Sequence, residues 1–280
     1  MRLPYLAMLR PTQWLKNLML VFPPFLAGQM FLPGIVFCGL LSFCAFCLVS
    51  SAGYIFNDLV DRERDTLHPQ KSLRILASGS VSVRGASWYA LFLLVCGLAL
   101  SWVVSFNMLS FLVVYVLISF LYSIYLKKIP VVDLFCIAAG FLVRLQAGGD
   151  IFKIPISPWL FLTVFLLALF LSTGKRLSEA QILGVGAGEH RPSLSRYPPG
   201  FLNGTLYMTG SAVLVTYVMY VLHKPRLIYT VPLCLFGLLR YLLRVSAGKC
   251  GDPTESLLKD WLLFVVSLLW VAMVFWSIYL

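Results

Sequence analysis

Nine apolar stretches, each close to the length that crosses a lipid bilayer, follow one another along this chain and leave little room for any other architecture. A transmembrane α-helix needs about 20 consecutive apolar residues. Runs of this kind fall at 18–32, 34–56, 86–104, 108–126, 131–148, 156–173, 206–222, 227–243 and 261–280. No water enters the hydrocarbon, so each span must satisfy its own backbone hydrogen bonds, and a helix does this within one segment. The expectation is an all-α membrane protein, a bundle of nine transmembrane helices forming a single domain over residues 1–280. With 60% hydrophobic and 12% charged residues, the composition lies far from that of a soluble domain. Pro23-Pro24 interrupts the first span, which a membrane helix tolerates where neighbours satisfy the freed carbonyls.

Basic residues divide unequally between the connections. With the N-terminus inside, the outer loops hold only Lys153, Lys224 and Arg226, whereas nearly all other Lys and Arg fall on the inner side. This is a strong positive-inside bias, and it leaves Arg144 by itself within a span. The longer hydrophilic segments, 57–85, 174–205 and 244–260, are all inner and carry most of the acids as well. A cytoplasmic-side active-site cavity is therefore expected, with the N-terminus on the same side. The formal charge of +11 describes that face rather than a nucleic-acid footprint. The seven cysteines lack metal-site spacing and mostly lie within spans, as small packing residues do. His68, His190 and His223 do not cluster, which argues against zinc or haem.

Where the second apolar run ends, the chain reads Asn57-Asp58-Leu59-Val60-Asp61-Arg62-Glu63-Arg64-Asp65. At about 3.6 residues per turn, Asp58, Asp61 and Asp65 share one face of a helix. Carboxylates at this spacing repel one another without compensating charge. Mg²⁺ takes oxygen ligands, keeps several waters and bridges one or two carboxylates to substrate phosphates. The pattern points to a Mg²⁺ and diphosphate site with Asp58, Asp61 and Asp65 as metal ligands. Lys71 and Arg74 can neutralise phosphate oxygens that the metal does not reach. The plainer alternative is a solvated juxtamembrane helix of mixed charge, and the usual sparsity of acids at such helix ends weighs against it.

Other polar residues at the span ends are open to two readings. Gly174-Lys175-Arg176 with Glu179 follows the sixth span; it can grip an anionic group, although paired bases at an inner helix end are commonplace. Lys16 and Asn17, beside Trp14, suit either an interfacial anchor or an active site. Tyr122 and Lys127 share that ambiguity. Arg144 either lines a cavity with a partner or reaches to the outer interface. Asp252-Pro253 and Asp260 either cap helices or complete a charge network. Gly184-Val185-Gly186-Ala187-Gly188 lacks the Lys-Ser/Thr of a phosphate loop and reads as a plain loop.

Taken together, these residues resemble the UbiA superfamily of intramembrane prenyltransferases along essentially the whole chain. Arg10-Pro11 through Lys16-Asn17, Asp61 through His68-Pro69 and Lys71, Gly140-Phe141 to Arg144, Gly174-Lys175-Arg176 with Glu179, and Asp252-Pro253 to Asp260 are similar to its decaprenyl-phosphate phosphoribosyltransferase branch. Typical prenyltransferases of the superfamily carry a second aspartate-rich motif after the sixth helix, where this chain has the basic Gly174-Lys175-Arg176. The resemblance implies a Mg²⁺-dependent enzyme of the bacterial inner (plasma) membrane. It would move a 5-phosphoribosyl group from phosphoribosyl diphosphate to a polyprenyl phosphate. Asp58, Asp61, Lys175 and Arg176 are then catalytic, and Lys16, Asn17, Asn57, Lys71, Arg74, Tyr122, Lys127, Arg144 and Glu179 hold substrate. Two rivals remain on the sequence: a prenyltransferase moving an isoprenoid from its diphosphate to an aromatic or other acceptor, and a lipid or solute transporter.

Overall fold

The computed structural model describes residues 4–67, 71–184 and 193–280. Eight of its helices are long and apolar enough to cross a membrane. They are α1 (Pro33–Leu67), α2 (Val83–Val104), α3 (Phe106–Ile124), α4 (Val132–Ile151), α5 (Pro158–Leu183), α6 (Phe201–Val221), α7 (Val231–Ser246) and α8 (Trp261–Tyr279). Among the described residues there is no strand.

The expected ninth span, 18–32, has a different form. Pro11–Val21 is a 3-10 helix that runs directly into a five-residue α-helix, Phe22–Leu26. Pro23 and Pro24 have no amide hydrogens to donate, so an α-helical ladder across them is incomplete. Gly28, at φ 73, then turns the chain toward α1. This N-terminal rod lies against α4 because Gly148 lets it approach: a Cβ at Gly148 would sit 2.0 Å from the Leu20 carbonyl oxygen.

Capping residues set several helix starts. Side-chain oxygens of Ser82, Ser105, Ser157 and Asp260 accept hydrogen bonds from the amides of Gly85, Met108, Leu160 and Leu263. Each satisfies a donor that a helix start otherwise leaves bare. The longest helix, α1, has 35 residues and continues through Asn57–Asp65, which the sequence pattern assigns to a loop-facing helix end. At about 1.5 Å per residue it is roughly 52 Å long, against a hydrocarbon core of about 30 Å. Its C-terminal part therefore projects beyond the apolar layer and carries the aspartates with it.

Packing then gathers the helices. α1 packs along α2, α5 along α6, and α4 between α3 and α5. Phe46, Val49, Met108 and Leu112 fill the space between α1 and α3, while Leu145, Val164, Tyr217 and Val221 join α4, α5 and α6. Large apolar side chains such as Phe37, Trp88, Trp102 and Leu117 stay exposed on the outside. An apolar exterior around a polar interior is what a bilayer solvent selects, and the chain is an integral membrane protein.

Candidate active site

A cavity of about 760 Å³ opens among the N-terminal rod, the C-terminal halves of α1, α3 and α5, the N-terminal half of α4, and residues 250–259 before α8. Of the site residues expected from sequence, Lys16, Asn57, Asp61, Lys71, Arg74, Tyr122, Lys127, Arg144, Lys175, Arg176 and Glu179 line it. Asn17, Asp58 and Asp65 stand behind its wall.

One end of the cavity is built on α1. Asn57 and Asp61 lie one turn apart, and Lys127 reaches both from the turn before α4. Its Nζ donates to Asn57 Oδ1 at 3.1 Å and to both Asp61 oxygens at 2.7 Å. Asp58 and Asp65, seven residues apart, project in nearly the same direction, with Asp61 turned from them by about 60° toward Asn57. Arg74 bridges this second pair, with Nη1 3.0 Å from Asp58 and 2.7 Å from Asp65. Arg10 pairs with Asp58 as well; it holds φ 51, a left-handed conformation uncommon outside glycine. The three aspartates therefore do not converge on one point: Lys127, Arg74 and Arg10 supply the positive charge their spacing requires.

Among the described residues, no three His, Cys, Asp or Glu side chains form a metal cage. The donor set at this end is nevertheless all oxygen, as a hard cation requires, and Asp61 faces the cavity beside the Asn57 amide. Such a set fits an ion shared with substrate phosphates, with few protein ligands of its own.

Deeper in the bundle lies Arg144, twelve residues after the start of α4, or roughly 18 Å along the helix axis. It does not extend to the outer interface. Nε donates to Asn17 Oδ1 at 2.7 Å, Nη1 to the Gly140 carbonyl at 2.7 Å and Nη2 to the Tyr115 hydroxyl at 3.0 Å. The Tyr115 ring centroid is 4.5 Å from the guanidinium carbon. Asn17 is fully buried and is itself held by Ser50 and Cys47 on α1, so it supports Arg144 from behind. Lys16, one residue earlier, faces the cavity. Burial lowers its ammonium pKa to about 8, and the nearby Lys175 charge pushes the same way.

The third side belongs to α5. Lys175 donates to Asp252 at 2.8 Å. Asp252 also accepts from the amides of Thr254 and Glu255, so its capping and charge-network readings both hold. Burial works to raise the Asp252 pKa, but Lys175 and Lys16 prevail and hold it below the usual carboxylate range. The segment carrying Asp252 is clipped onto α5 by the Gly251 amide, which donates to the Ser178 hydroxyl at 2.9 Å. A Cβ at Gly251 would meet the Gly174 carbonyl oxygen at 2.5 Å, so only glycine permits this seating. Arg176 is 2% exposed, tied to Glu179 and, at 3.5 Å, to the buried Asp133. Tyr197 donates to Asp133 at 2.9 Å and accepts from the Val131 amide, joining the loop before α6 to the start of α4. Arg176 thus ties Glu179 to Asp133 while still lining the cavity.

Some residues fall elsewhere. Asp260 caps α8 and pairs with Arg240 and Arg244, away from the cavity. His223 hydrogen-bonds the Met219 carbonyl of its own helix. His68-Pro69, residues 185–188 of the glycine-rich stretch and His190 lie outside the described residues. The sequence reading did not single out Tyr115, Tyr54 or Ser178; a tyrosine amid the apolar residues of α3 was the available signal for the first.

Comparison with known proteins identifies the family and the fold. Residues 20–180 match the UbiA prenyltransferase family. The decaprenyl-phosphate phosphoribosyltransferase of Mycolicibacterium smegmatis is 31% identical, over 96% of this chain and 91% of that protein. The enzyme of the same name from Corynebacterium glutamicum is 30% identical, over 97% and 86%. A UbiA homologue from Archaeoglobus fulgidus, solved with GPP and Mg²⁺, superposes with a TM-score of 0.73 over 99% of this chain and 100% of that one, at 24% identity. That likeness concerns the fold. With the sequence match spanning more than half the chain and full-length relatives sharing its pattern, the protein belongs to the UbiA prenyltransferase family.

Proposed function

We propose that the protein transfers a 5-phosphoribosyl group from phosphoribosyl diphosphate to a polyprenyl phosphate and releases diphosphate. The observation that carries this reading is the positive charge of the cavity: among the described residues its wall holds nine Lys and Arg side chains against four Asp and Glu, with Asp58, Asp65 and Asp133 pairing to some of these cations from behind it. A donor bearing a diphosphate and a 5-phosphate, together with an acceptor bearing a phosphate, needs that excess. An isoprenyl diphosphate and an uncharged aromatic acceptor do not. The full-length relatives named for phosphoribosyl transfer to decaprenyl phosphate support the same choice.

Asp61 and Asn57 would hold Mg²⁺, with Asp58 and Asp65 on the same helix as the further candidate carboxylates. The ion, when bound, supplies charge stabilisation to the departing diphosphate. Arg10, Arg74 and Lys127, already gathered at that end, neutralise the remaining diphosphate oxygens. The lipid phosphate is an anion near neutral pH, so its attack on the anomeric carbon needs no general base, and among the described residues no histidine lines the cavity. The bond from that carbon to the diphosphate oxygen breaks, the bond to the lipid phosphate oxygen forms, and the product is β-linked by inversion. Ile118, Ile137, Phe141 and Leu171 give the cavity an apolar side from which an isoprenoid tail can pass between helices toward lipid. The positive-inside bias supports a cytoplasmic-facing cavity, and the bacterial sources of the relatives support a bacterial plasma membrane.

Prenyl transfer remains the competing reaction, since the family takes its name from it and a structural neighbour binds GPP. Diphosphate release measured with each donor separates the two. Release from phosphoribosyl diphosphate that requires polyprenyl phosphate supports the proposal; release only from a prenyl diphosphate replaces it. Retention at the anomeric carbon would sink the single displacement.

A further inference from the structure

Charge compensation differs sharply between the parts of this cavity. At the α1 end, three cations, Arg10, Arg74 and Lys127, meet three aspartates in direct pairs. Arg176 is shared by two acids, Asp133 and Glu179. Lys259 is paired with Glu255. A further group is Lys16, Arg144 and Lys175, with Asp252 as its one acid, and Asp252 is already paired with Lys175. Lys16 and Arg144 have no carboxylate within ion-pair distance among the described residues.

Arg144 is 4% exposed, inside a membrane bundle, and its hydrogen bonds go to neutral acceptors: an amide oxygen, a carbonyl and a hydroxyl. Its fork has five N–H donors. Three are committed to these partners, which fix the plane of the group at the cavity wall. Holding an uncompensated cation in such a place is costly unless an anion arrives. Lys16 lies within Coulombic reach of Arg144 and Lys175, and of Asp252, which partly offsets their repulsion. A rigid guanidinium, a nearby ammonium and a second ammonium steered by Asp252 suit a compact tetrahedral dianion.

We propose that Lys16, Arg144 and Lys175 form a phosphomonoester subsite, deeper than the diphosphate end and separate from it. Arg176 is outside this subsite, because two acids already balance its charge. For its ligand the proposal rests on the phosphoribosyl-transfer reading, in which the donor 5-phosphate and the lipid phosphate both have this chemistry.

Lys16 is the informative position to change, because Arg144 variants also release Asn17 and Tyr115 and endanger the fold. The full chain in lipid nanodiscs with Mg²⁺ is assayed by varying phosphoribosyl diphosphate and a short polyprenyl phosphate in turn. Lys16→Gln is expected to raise KM for one of them by about tenfold or more, as loss of a charge-assisted contact does, with Lys16→Arg restoring it. A rise confined to the lipid assigns the subsite to the acceptor, and one confined to the donor assigns it to the 5-phosphate. Unchanged KM for both overturns the proposal. Should the wild type transfer no phosphoribosyl group, equilibrium binding of inorganic phosphate and farnesyl phosphate still decides. Weaker binding to Lys16→Gln than to wild type supports the subsite, and equal binding overturns it.

Discussion

At the scale of single residues, the cavity works by assigning each charge a partner or withholding one. Asp61 is the aspartate of its motif that faces the cavity, and Lys127 holds both of its oxygens. Asp61→Asn is expected to lower kcat/KM by about 100-fold or more and to raise the Mg²⁺ concentration needed for half-maximal rate. Undiminished turnover at limiting Mg²⁺ would remove Asp61 from the metal site. Lys16 makes a pH prediction. Its pKa of about 8 means that its ammonium, the form that attracts phosphate, is lost as pH rises through that value. Accordingly kcat/KM should fall on the alkaline side near pH 8, and Lys16→Arg, charged throughout, should abolish the fall. A wild-type profile that stays flat well past that pH contradicts the role. Residue types and local spacing announced Asp61, Lys16 and Lys175. They could not announce the Lys127–Asp61 pair, which joins positions 66 apart in the chain, nor the burial of Arg176 between Asp133 and Glu179. Such partners are set by tertiary packing, which local spacing does not encode.

Among the elements, the N-terminal rod decides where the deep basic residues stand. Pro23 and Pro24 interrupt its hydrogen-bond ladder, and its contact with α4 follows from Gly148. Gly148→Ala should push the Leu20 backbone away and destabilise the fold by about 1–3 kcal/mol, visible as a lower melting midpoint in detergent. A substrate KM that rises with it would show the rod carrying Lys16 out of place, whereas an unshifted midpoint would mean that the rod docks differently. The apolar runs revealed the eight long helices because a bilayer enforces length and composition directly. The continuation of α1 through the aspartates was legible instead in their i, i+3, i+7 spacing, since polar residues beyond the lipid carry no hydropathy signal. The segment 18–32 misled for a related reason: hydropathy registers apolar character, and the proline pair, rather than apolarity, determines the backbone there.

For the whole molecule, a bundle with a polar cavity and a strongly one-sided charge is expected to sit in the membrane in one orientation. With the positive side cytoplasmic, an amine reagent that cannot cross the membrane should modify Lys153 from outside and Lys249 only after the inner face is opened. Peptide mapping of both lysines checks this, and reversed labelling would put the cavity on the other side. The central claim is that such a cavity joins a soluble phosphoribosyl donor to a lipid phosphate. Incubating the purified protein with Mg²⁺, a short polyprenyl phosphate and radiolabelled phosphoribosyl diphosphate, then extracting into organic solvent, tests it most directly. The account predicts label in the lipid phase that disappears with EDTA. A lipid phase without label, from protein that releases diphosphate from a prenyl diphosphate, would contradict it.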